Sequence, residues 1–230
     1  MKKLKIGIIG VGRLGYEHAC NIANRVPGSE LVAIADANFD RAKQVAEELG
    51  VTAVYNDPKD LCADPNVEAV AIITNTASHV EMIKIAMDAG KHVFCEKPLA
   101  DTVEKCKEAE AIIAAHPELT FMLGFMRRYD PGYNQLKKAI DSGKYGLPLM
   151  LHCVHRNYDA PGFTTSMPVE NSMIHEIDVL RWLLGENYKT AEVVFPKTTR
   201  NAEGELRDPQ IMYLTTESGV RIDVESFVNC

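Results

Sequence analysis

The stretch Gly7-Ile8-Ile9-Gly10-Val11-Gly12-Arg13-Leu14-Gly15 decides the fold of this chain. It follows an apolar run that begins at Leu4, and it opens a segment with helical spacing. Gly10, Gly12 and Gly15 fit the pattern G-x-G-x-x-G. The first glycine allows a tight strand-to-helix turn, the second lets backbone approach a pyrophosphate, and the third lets the helix pack closely on the strand. Amide groups and the dipole at the helix start favour a bound phosphate. The pattern alone is weak evidence for a phosphate-binding turn, so it has to be judged together with the segments that follow.

Strand-like and helix-like segments alternate along the first 123 residues. Short apolar runs predict strands at residues 4–9, 30–36, 51–55, 67–73, 91–95 and 120–123. The first helix is expected to bury the face that carries Leu14, His18, Ile22 and Val26, and later helices are expected over residues 39–49, 78–89 and 102–115. Alternation with short connections predicts an α/β fold, a doubly wound parallel sheet with helices on both faces.

Polar residues follow several of these strands at their carboxyl ends, where doubly wound sheets bind ligands. The glycine turn, Asp36, residues 74–76 and residues 96–98 all lie at such ends. Asp36 can accept hydrogen bonds from a ribose diol and would repel a 2′-phosphate, which favours NAD over NADP. Arg41 is the one nearby basic residue that could soften this preference. The alternative interpretation of Asp36 is a cap of the next helix.

The pattern changes after residue 123, so we place a domain boundary there, with one domain over 1–123 and a second over 124–230. The second domain is expected to hold helices at 130–141 and 172–184, strands at 149–155 and 192–196, and a loop over 157–170. Residues 211–216 and 219–228 resemble a hairpin whose last strand alternates apolar and polar side chains. Such alternation is typical of an antiparallel sheet with one buried face, so we expect an α+β domain with an open, mostly antiparallel sheet.

Composition excludes several classes of protein. The chain has 230 residues, 46% of them hydrophobic and 25% charged, with a net charge of −7, and this balance predicts a globular fold without a nucleic-acid footprint. No apolar run is long enough to span a membrane. The cysteines, at positions 20, 62, 95, 106, 153 and 230, form no C-x-x-C pair and do not have zinc-ligand spacing. We therefore expect a cytoplasmic protein with reduced thiols and no metal site.

Two residues are candidates for chemistry. Lys97 follows a predicted strand, where its ammonium could bind a substrate hydroxyl and partial desolvation would lower its pKa. The alternative is a surface lysine paired with Glu96. His175 shares a helical stripe with Asn171 and Asp178, and it is a plausible general base for an alcohol proton. The alternatives are a core histidine bonded to Asp178 and, for Asn171, a helix N-cap.

Three motifs together resemble one known family, that of glucose–fructose oxidoreductase, inositol dehydrogenase and the rhizopine-catabolism proteins. They are Gly10-Val11-Gly12-Arg13-Leu14-Gly15, Glu96-Lys97-Pro98, and His175-Glu176-Ile177-Asp178 leading to Trp182-Leu183-Leu184-Gly185. The resemblance covers the whole chain and is strongest with members that oxidise inositol. The segments Phe125–Pro131 and His155–Asn157 also resemble those members. It implies a Rossmann domain, a second domain that makes homo-oligomer contacts through its sheet, and NAD-dependent oxidation of a ring hydroxyl of inositol, a small polyol, to a ketone.

The resemblance also implies roles for individual residues. Lys97 would orient the reacting hydroxyl, often beside a cis Lys–Pro bond, and His175 would accept its proton. The cofactor would be bound by Gly10, Gly12, Arg13, Leu14, Gly15, Asp36, Thr74, Asn75, Glu96 and Lys97. The polyol would be bound by Lys97, Met126, Arg127, His155, Asn157, Asn171 and His175.

Two features depart from the family pattern. Close relatives carry an aspartate four residues before the catalytic histidine, where this chain has Asn171. We expect the change to weaken activity or alter polyol preference. Family members also continue past the position of Cys230. We therefore expect either that this chain is truncated or that a partner subunit completes its sheet. The alternative function is a dinucleotide-binding module with little or no catalysis.

Overall fold

The computed structural model describes residues 2–157 and 161–229. The chain divides into two compact units, Met1–Gly124 (unit 1) and Phe125–Cys230 (unit 2). Within the described ranges no helix is both long enough and apolar enough to cross a membrane. Cys230, which the sequence places among the reduced cysteines, lies outside the described residues, as do positions 158–160 of the expected loop.

Unit 1 is a six-stranded parallel sheet with helices on both faces. Its strands are β1 (Leu4–Ile9), β2 (Ser29–Ala35), β3 (Ala53–Tyr55), β4 (Ala69–Ile72), β5 (His92–Cys95) and β6 (Phe121–Leu123). Its helices are α1 (Arg13–Asn24), α2 (Phe39–Leu49), α3 (Pro58–Ala63), α4 (His79–Asp88) and α5 (Val103–Ala114). The strand order β3-β2-β1-β4-β5-β6 is that of the Rossmann fold, which confirms the predicted fold class.

Local signals explain why the elements of unit 1 begin and end where they do. The side chain of Asn38 accepts a hydrogen bond from the backbone of Arg41 at the start of α2, and Gly50 ends that helix in the left-handed conformation, with φ of 71°. Asp57 and Thr102 cap α3 and α5 in the same way. Strand order brings the ends of β2, β1, β4 and β5 side by side along one edge of the sheet, because these four strands are neighbours and parallel.

The buried face of α1 differs from the prediction. Gly15, Ala19 and Ile22 are buried, whereas Leu14 and Val26 are 51% and 49% exposed. The helix approaches the sheet so closely that small residues fill much of the contact, so the predicted face is correct at Ile22 and wrong at Leu14 and Val26. The core therefore contains many alanines and valines between the sheet and its helices, with Ile8, Ile34 and Ile72 fully buried in the strands.

Unit 2 consists of a four-stranded mixed sheet with helices packed on one face. Its elements are α6 (Pro131–Asp141), β7 (Met150–Arg156), α7 (Ile174–Leu184), β8 (Tyr188–Val194), β9 (Gln210–Thr216) and β10 (Arg221–Phe227). A 3₁₀ turn covers Met126–Tyr129 and a π-helical turn covers Pro168–Met173. In the order β7-β10-β9-β8, β7 pairs with β10 in parallel and the other two pairings are antiparallel, which confirms the predicted hairpin and the mostly antiparallel sheet.

Two local predictions for unit 2 were wrong, and a predicted strand was only partly correct in its bounds. The end of the expected loop, from Pro168, is helical, because proline is compatible with a first helical turn. Asn171 consequently lies inside this turn and is not the N-cap of α7, which is Met173. The strand predicted at 192–196 lies at Tyr188–Val194, where the hydroxyl of Tyr188 donates to the carbonyl of Ile177 over 2.7 Å. That contact joins β8 to a helix earlier in the chain, so local sequence carries no signal of it.

Candidate functional site

The glycine turn of unit 1 has the geometry that its pattern predicts. Gly10 has φ of +90°, and a Cβ there would lie 2.6 Å from the carbonyl oxygen of Ile73. A Cβ on Gly15 would lie 2.0 Å from the carbonyl oxygen of Gly10, so only glycine allows α1 to approach the turn this closely. A Cβ on Gly12 would meet no atom within 4 Å. The backbone of Gly12 is thus open to a ligand at the N-terminus of α1, which no side chain caps.

Asp36 follows β2 and joins this turn to the next helix. Its Oδ2 accepts a hydrogen bond of 2.7 Å from the amide of Val11, and its Oδ1 accepts one of 2.8 Å from the amide of Asn38. The cap of α2 is Asn38, so the alternative interpretation of Asp36 as that cap is wrong. Arg41 donates from Nε to the carbonyl of Val11 over 3.2 Å and stacks over the ring of Tyr16.

A cavity of about 400 Å³ lies beside the turn. Its lining includes Gly10, Gly12, Asp36, Thr74 and Asn75. Open backbone at Gly12, a helix N-terminus and a carboxylate at the end of β2 are the groups that a dinucleotide requires for its pyrophosphate and ribose. Arg13 and Leu14, the other predicted contacts in this motif, are exposed in the first turn of α1.

Glu96 and Lys97 follow β5 and are half-buried. Oε1 of Glu96 lies 3.0 Å from Nε2 of His18, and Oε2 accepts the backbone amide of Lys97 over 3.1 Å. Burial raises the pKa of the Glu96 carboxyl, but these hydrogen bonds and nearby positive charges outweigh it, and the net pKa is lowered. Burial lowers the pKa of the Lys97 ammonium, with Glu96 opposing the shift. The Lys97–Pro98 peptide is cis.

In unit 2 the carboxylate of Glu176 gathers two of the predicted polyol-binding side chains. Its Oε1 forms an ion pair with Arg127 and lies 3.1 Å from Nδ1 of His155. Burial raises the pKa of this carboxyl, and the hydrogen bonds from His155 and Arg127 outweigh burial, so the net pKa is lowered. Glu176 belongs to the motif His175-Glu176-Ile177-Asp178, but its contacts with Arg127 and His155 were not predicted. The available signal was a carboxylate among the apolar residues that begin α7.

The remaining predicted residues of unit 2 lie around the start of α7. Asn157 follows β7, and its side-chain amide lies 3.4 Å from Oγ of Ser172. Asn171 is in the π-helical turn and His175 is the second residue of α7. Met126 is largely exposed in the 3₁₀ turn. Asp178, which the alternative interpretation pairs with His175, receives both hydrogen bonds of the Arg128 guanidinium, with 2.8 Å from Nε to Oδ2.

Comparison with known proteins assigns the chain to a family. The family model described as "Oxidoreductase family, NAD-binding Rossmann fold" matches residues 4–125, and the model of the GFO/IDH/MocA C-terminal domain matches residues 133–230. The chain belongs to the GFO/IDH/MocA oxidoreductase family. Membership confirms the resemblance based on the three motifs, and it makes unit 1 an NAD-binding domain whose glycine turn and Asp36 fit that cofactor.

Relatives within the GFO/IDH/MocA family include enzymes named for inositol. Inositol 2-dehydrogenase of Burkholderia cenocepacia (strain HI2424) is 46% identical over 99% of this chain and 68% of its own length, and that of Pseudomonas savastanoi pv. phaseolicola is 48% identical with the same coverage. The crystal structure of myo-inositol dehydrogenase from Lactobacillus casei in complex with NAD(H) and myo-inositol has a TM-score of 0.94 at 34% identity, covering 98% of this chain and 68% of that one.

The crystal structure of scyllo-inositol dehydrogenase from Lactobacillus casei with bound cofactor NAD(H) and scyllo-inositol has a TM-score of 0.90 at 28% identity. The match covers all of this chain and 71% of that one.

Among residues 2–157 and 161–229 of the present chain, no group of three or more His, Cys, Asp or Glu side chains is placed to hold a metal ion.

Proposed function

We propose that this chain catalyses the NAD-dependent oxidation of a ring hydroxyl of inositol, either myo-inositol or a stereoisomer, to the inosose. The observation that carries the proposal is identity of 45–48% over 99% of the chain with proteins named inositol 2-dehydrogenase. The glycine turn and Asp36 supply the cofactor site that such a reaction requires. When bound, NAD supplies a hydride acceptor.

Lys97 and His175 are assigned the chemistry of the reacting hydroxyl. The ammonium of Lys97 donates a hydrogen bond to the hydroxyl oxygen, and half-burial strengthens this interaction because water competes less for the donor. The imidazole of His175 accepts the hydroxyl proton as the carbon–oxygen double bond forms and the hydride leaves the carbon. A neutral imidazole suits this step because its ordinary pKa lies close to physiological pH.

The other hydroxyls of the polyol are assigned to four polar side chains, those of Arg127, His155, Asn157 and Asn171. Met126 is assigned an apolar contact. A ring polyol offers several hydroxyls, each both donor and acceptor, so a site that binds it needs several convergent polar groups held in fixed positions. The support in unit 2 is the carboxylate of Glu176, which hydrogen-bonds Arg127 and His155 together. Asn171 offers an amide where the family resemblance implies a carboxylate, and it is therefore expected to alter the strength or the stereochemistry of binding.

NADH formation, followed by its absorbance, tests the proposal. The protein is incubated with NAD and a panel of inositol stereoisomers, with glucose and an acyclic polyol for comparison. We expect turnover of at least one inositol, abolished in Lys97→Met and in His175→Phe. Binding of NAD without turnover of any polyol would support a dinucleotide-binding module instead, a function that the inositol 2-dehydrogenase relatives do not favour.

A homo-oligomer formed through the sheet of unit 2 is proposed from exposed apolar side chains on the outer face of that sheet. Met150, Val154 and Tyr213 lie on this face. Solvent-exposed patches of this kind mark protein contacts. Light scattering of the purified protein should give more than one subunit, and Val154→Glu should shift the population toward the monomer.

A cytoplasmic location is proposed from the thiols. The described cysteines are free thiols, the state that is usual in the cytosol. Cys62 and Cys95 are buried, and burial raises the pKa of their thiols to about 11 and about 12, which disfavours the reactive thiolate. Cell fractionation tests the location directly.

A further inference from the structure

His79 connects the ends of two neighbouring strands of unit 1. It is the first residue of α4 and only 1% exposed. Its Nδ1 lies 2.8 Å from the carbonyl oxygen of Pro98, and its Nε2 lies 3.3 Å from the carbonyl oxygen of Thr74. A polar ring buried this deeply is expected to hydrogen-bond, and both of its neighbours here are backbone acceptors.

These two carbonyls belong to the segments that follow β4 and β5. The two strands remain paired up to Ile72 and Cys95, and one further bond runs from the amide of Glu96 to the carbonyl of Ile72. Beyond that hydrogen bond the two segments separate: the one after β4 leads to Thr74, and the one after β5 leads through Lys97 to Pro98. His79 continues the connection between them by means of a side chain in place of a ladder hydrogen bond.

The backbone of Lys97 is consequently held on both sides. Its own amide donates to the carboxylate of Glu96 over 3.1 Å, and the carbonyl of the next residue, Pro98, is held by His79. The shorter of the two imidazole contacts identifies Nδ1 as the donor to Pro98 in the neutral ring, because a carbonyl oxygen can only accept. Protonated imidazole would donate to Thr74 as well.

We propose that His79 is a positioning residue for Lys97, holding the Pro98 carbonyl so that the lysine stays fixed relative to the cofactor-binding segment at Thr74. The inference rests on the proposed function for the role of Lys97. Removal of the ring should let residues 97–98 relax and the ammonium move. A misplacement of about 1 Å at a reacting group costs up to ~10²-fold in rate.

The test compares His79→Phe with His92→Phe. Both replace a histidine by an apolar ring, but His92 is only partly buried and lies at the opposite end of β5, where its Nδ1 accepts a hydrogen bond from the amide of Thr120 over 2.9 Å. For His79→Phe we expect kcat to fall ~10-fold to 10²-fold with KM for inositol near the wild-type value, since only the reacting geometry is affected. For His92→Phe we expect kcat close to that of the wild type.

A second readout does not depend on turnover. Acetic anhydride labelling of Lys97, followed by mass spectrometry on the folded full chain, should be several times faster in His79→Phe than in the wild type or in His92→Phe. His79→Gln retains an N–H donor and should recover part of both the kcat and the slow labelling. If His79→Phe fails to fold, His79→Leu provides the same donor-free comparison.

Equal kcat and equal labelling in the wild type and in a folded donor-free variant would overturn the role of His79. If the wild type oxidises no inositol, the proposed function fails, whereas the labelling comparison still decides whether His79 fixes Lys97.

Discussion

Replacement of Glu176 by alanine should destabilise unit 2 more than any exposed ion-pair substitution. The Glu176 side chain is 4% exposed and that of its partner Arg127 is 19% exposed, so both charges are removed from water. Loss of one partner from a buried pair leaves the other charge uncompensated and costs about 3–5 kcal/mol. Glu176→Gln keeps the shape and one acceptor oxygen, and we expect a smaller cost of about 1–3 kcal/mol.

Urea unfolding, followed by the fluorescence of Trp182, measures this cost. Trp182 is the one tryptophan of the chain; it belongs to α7 and packs against the core of unit 2, so its signal reports that unit. The matched control is Asp141→Ala, because Asp141 pairs with Lys137 on α6 of the same unit, with side-chain exposures of 56% and 24%. Such exposed pairs contribute at most about 1 kcal/mol.

The pH dependence of stability gives an independent check on Glu176. Its pKa in the folded protein is lowered from the ordinary value, so its contribution is present above the unfolded-state pKa and is lost as the pH falls through the folded pKa. The wild type should therefore lose more stability on acidification below about pH 4.3 than Glu176→Gln does. Equal unfolding free energies for Glu176→Ala and Asp141→Ala, together with identical acid profiles for the wild type and Glu176→Gln, would refute the reasoning.

Other predictions concern the cofactor site and the region before His175. Gly12→Ala should leave the melting temperature unchanged, since its Cβ meets open space, yet it should weaken NAD binding measured by fluorescence titration. Gly15→Ala should unfold at a lower temperature, because its Cβ would lie 2.0 Å from a carbonyl oxygen. Asp36→Ala should lower NAD affinity about 10-fold and narrow the preference for NAD over NADP, because one or two hydrogen bonds to a charged group are lost; unchanged affinities for both would contradict this role. Asn171→Asp should change kcat or the order of preference among inositols, and identical profiles in the NADH assay would show that Asn171 is neutral.

Local chemistry explains why unit 1 could be predicted closely. Helix α2 was predicted at its observed bounds because Gly50 in the left-handed conformation stops it, and Asp57 before Pro58 marks the start of α3. Buried parallel strands are apolar on both faces and short, so each is visible in the sequence without knowledge of its neighbours. The alternation of strands and helices predicted the doubly wound parallel sheet, whereas the order of its strands is a finding of the structure.

Contacts distant in sequence explain what could not be predicted. Arg127 and Glu176 are 49 residues apart, and their ion pair exists only because the 3₁₀ turn packs against α7. The two acceptors of His79 likewise become neighbours only when β4 and β5 are side by side. Residue type and helical spacing indicated where polar groups occur, but not which of them share a hydrogen bond, since that depends on tertiary packing.

The pairing of β7 with β10 has a consequence during synthesis. The two strands are parallel neighbours, yet His152 and its partner Asp223 are 71 residues apart in sequence. At 5–20 residues per second a ribosome needs about 4–14 s to make that interval. During that time β7, with Leu151 and Cys153 on the side that will face the core, has no partner strand. Nascent unit 2 therefore presents an unpaired, half-apolar strand to chaperones until the β9–β10 hairpin emerges.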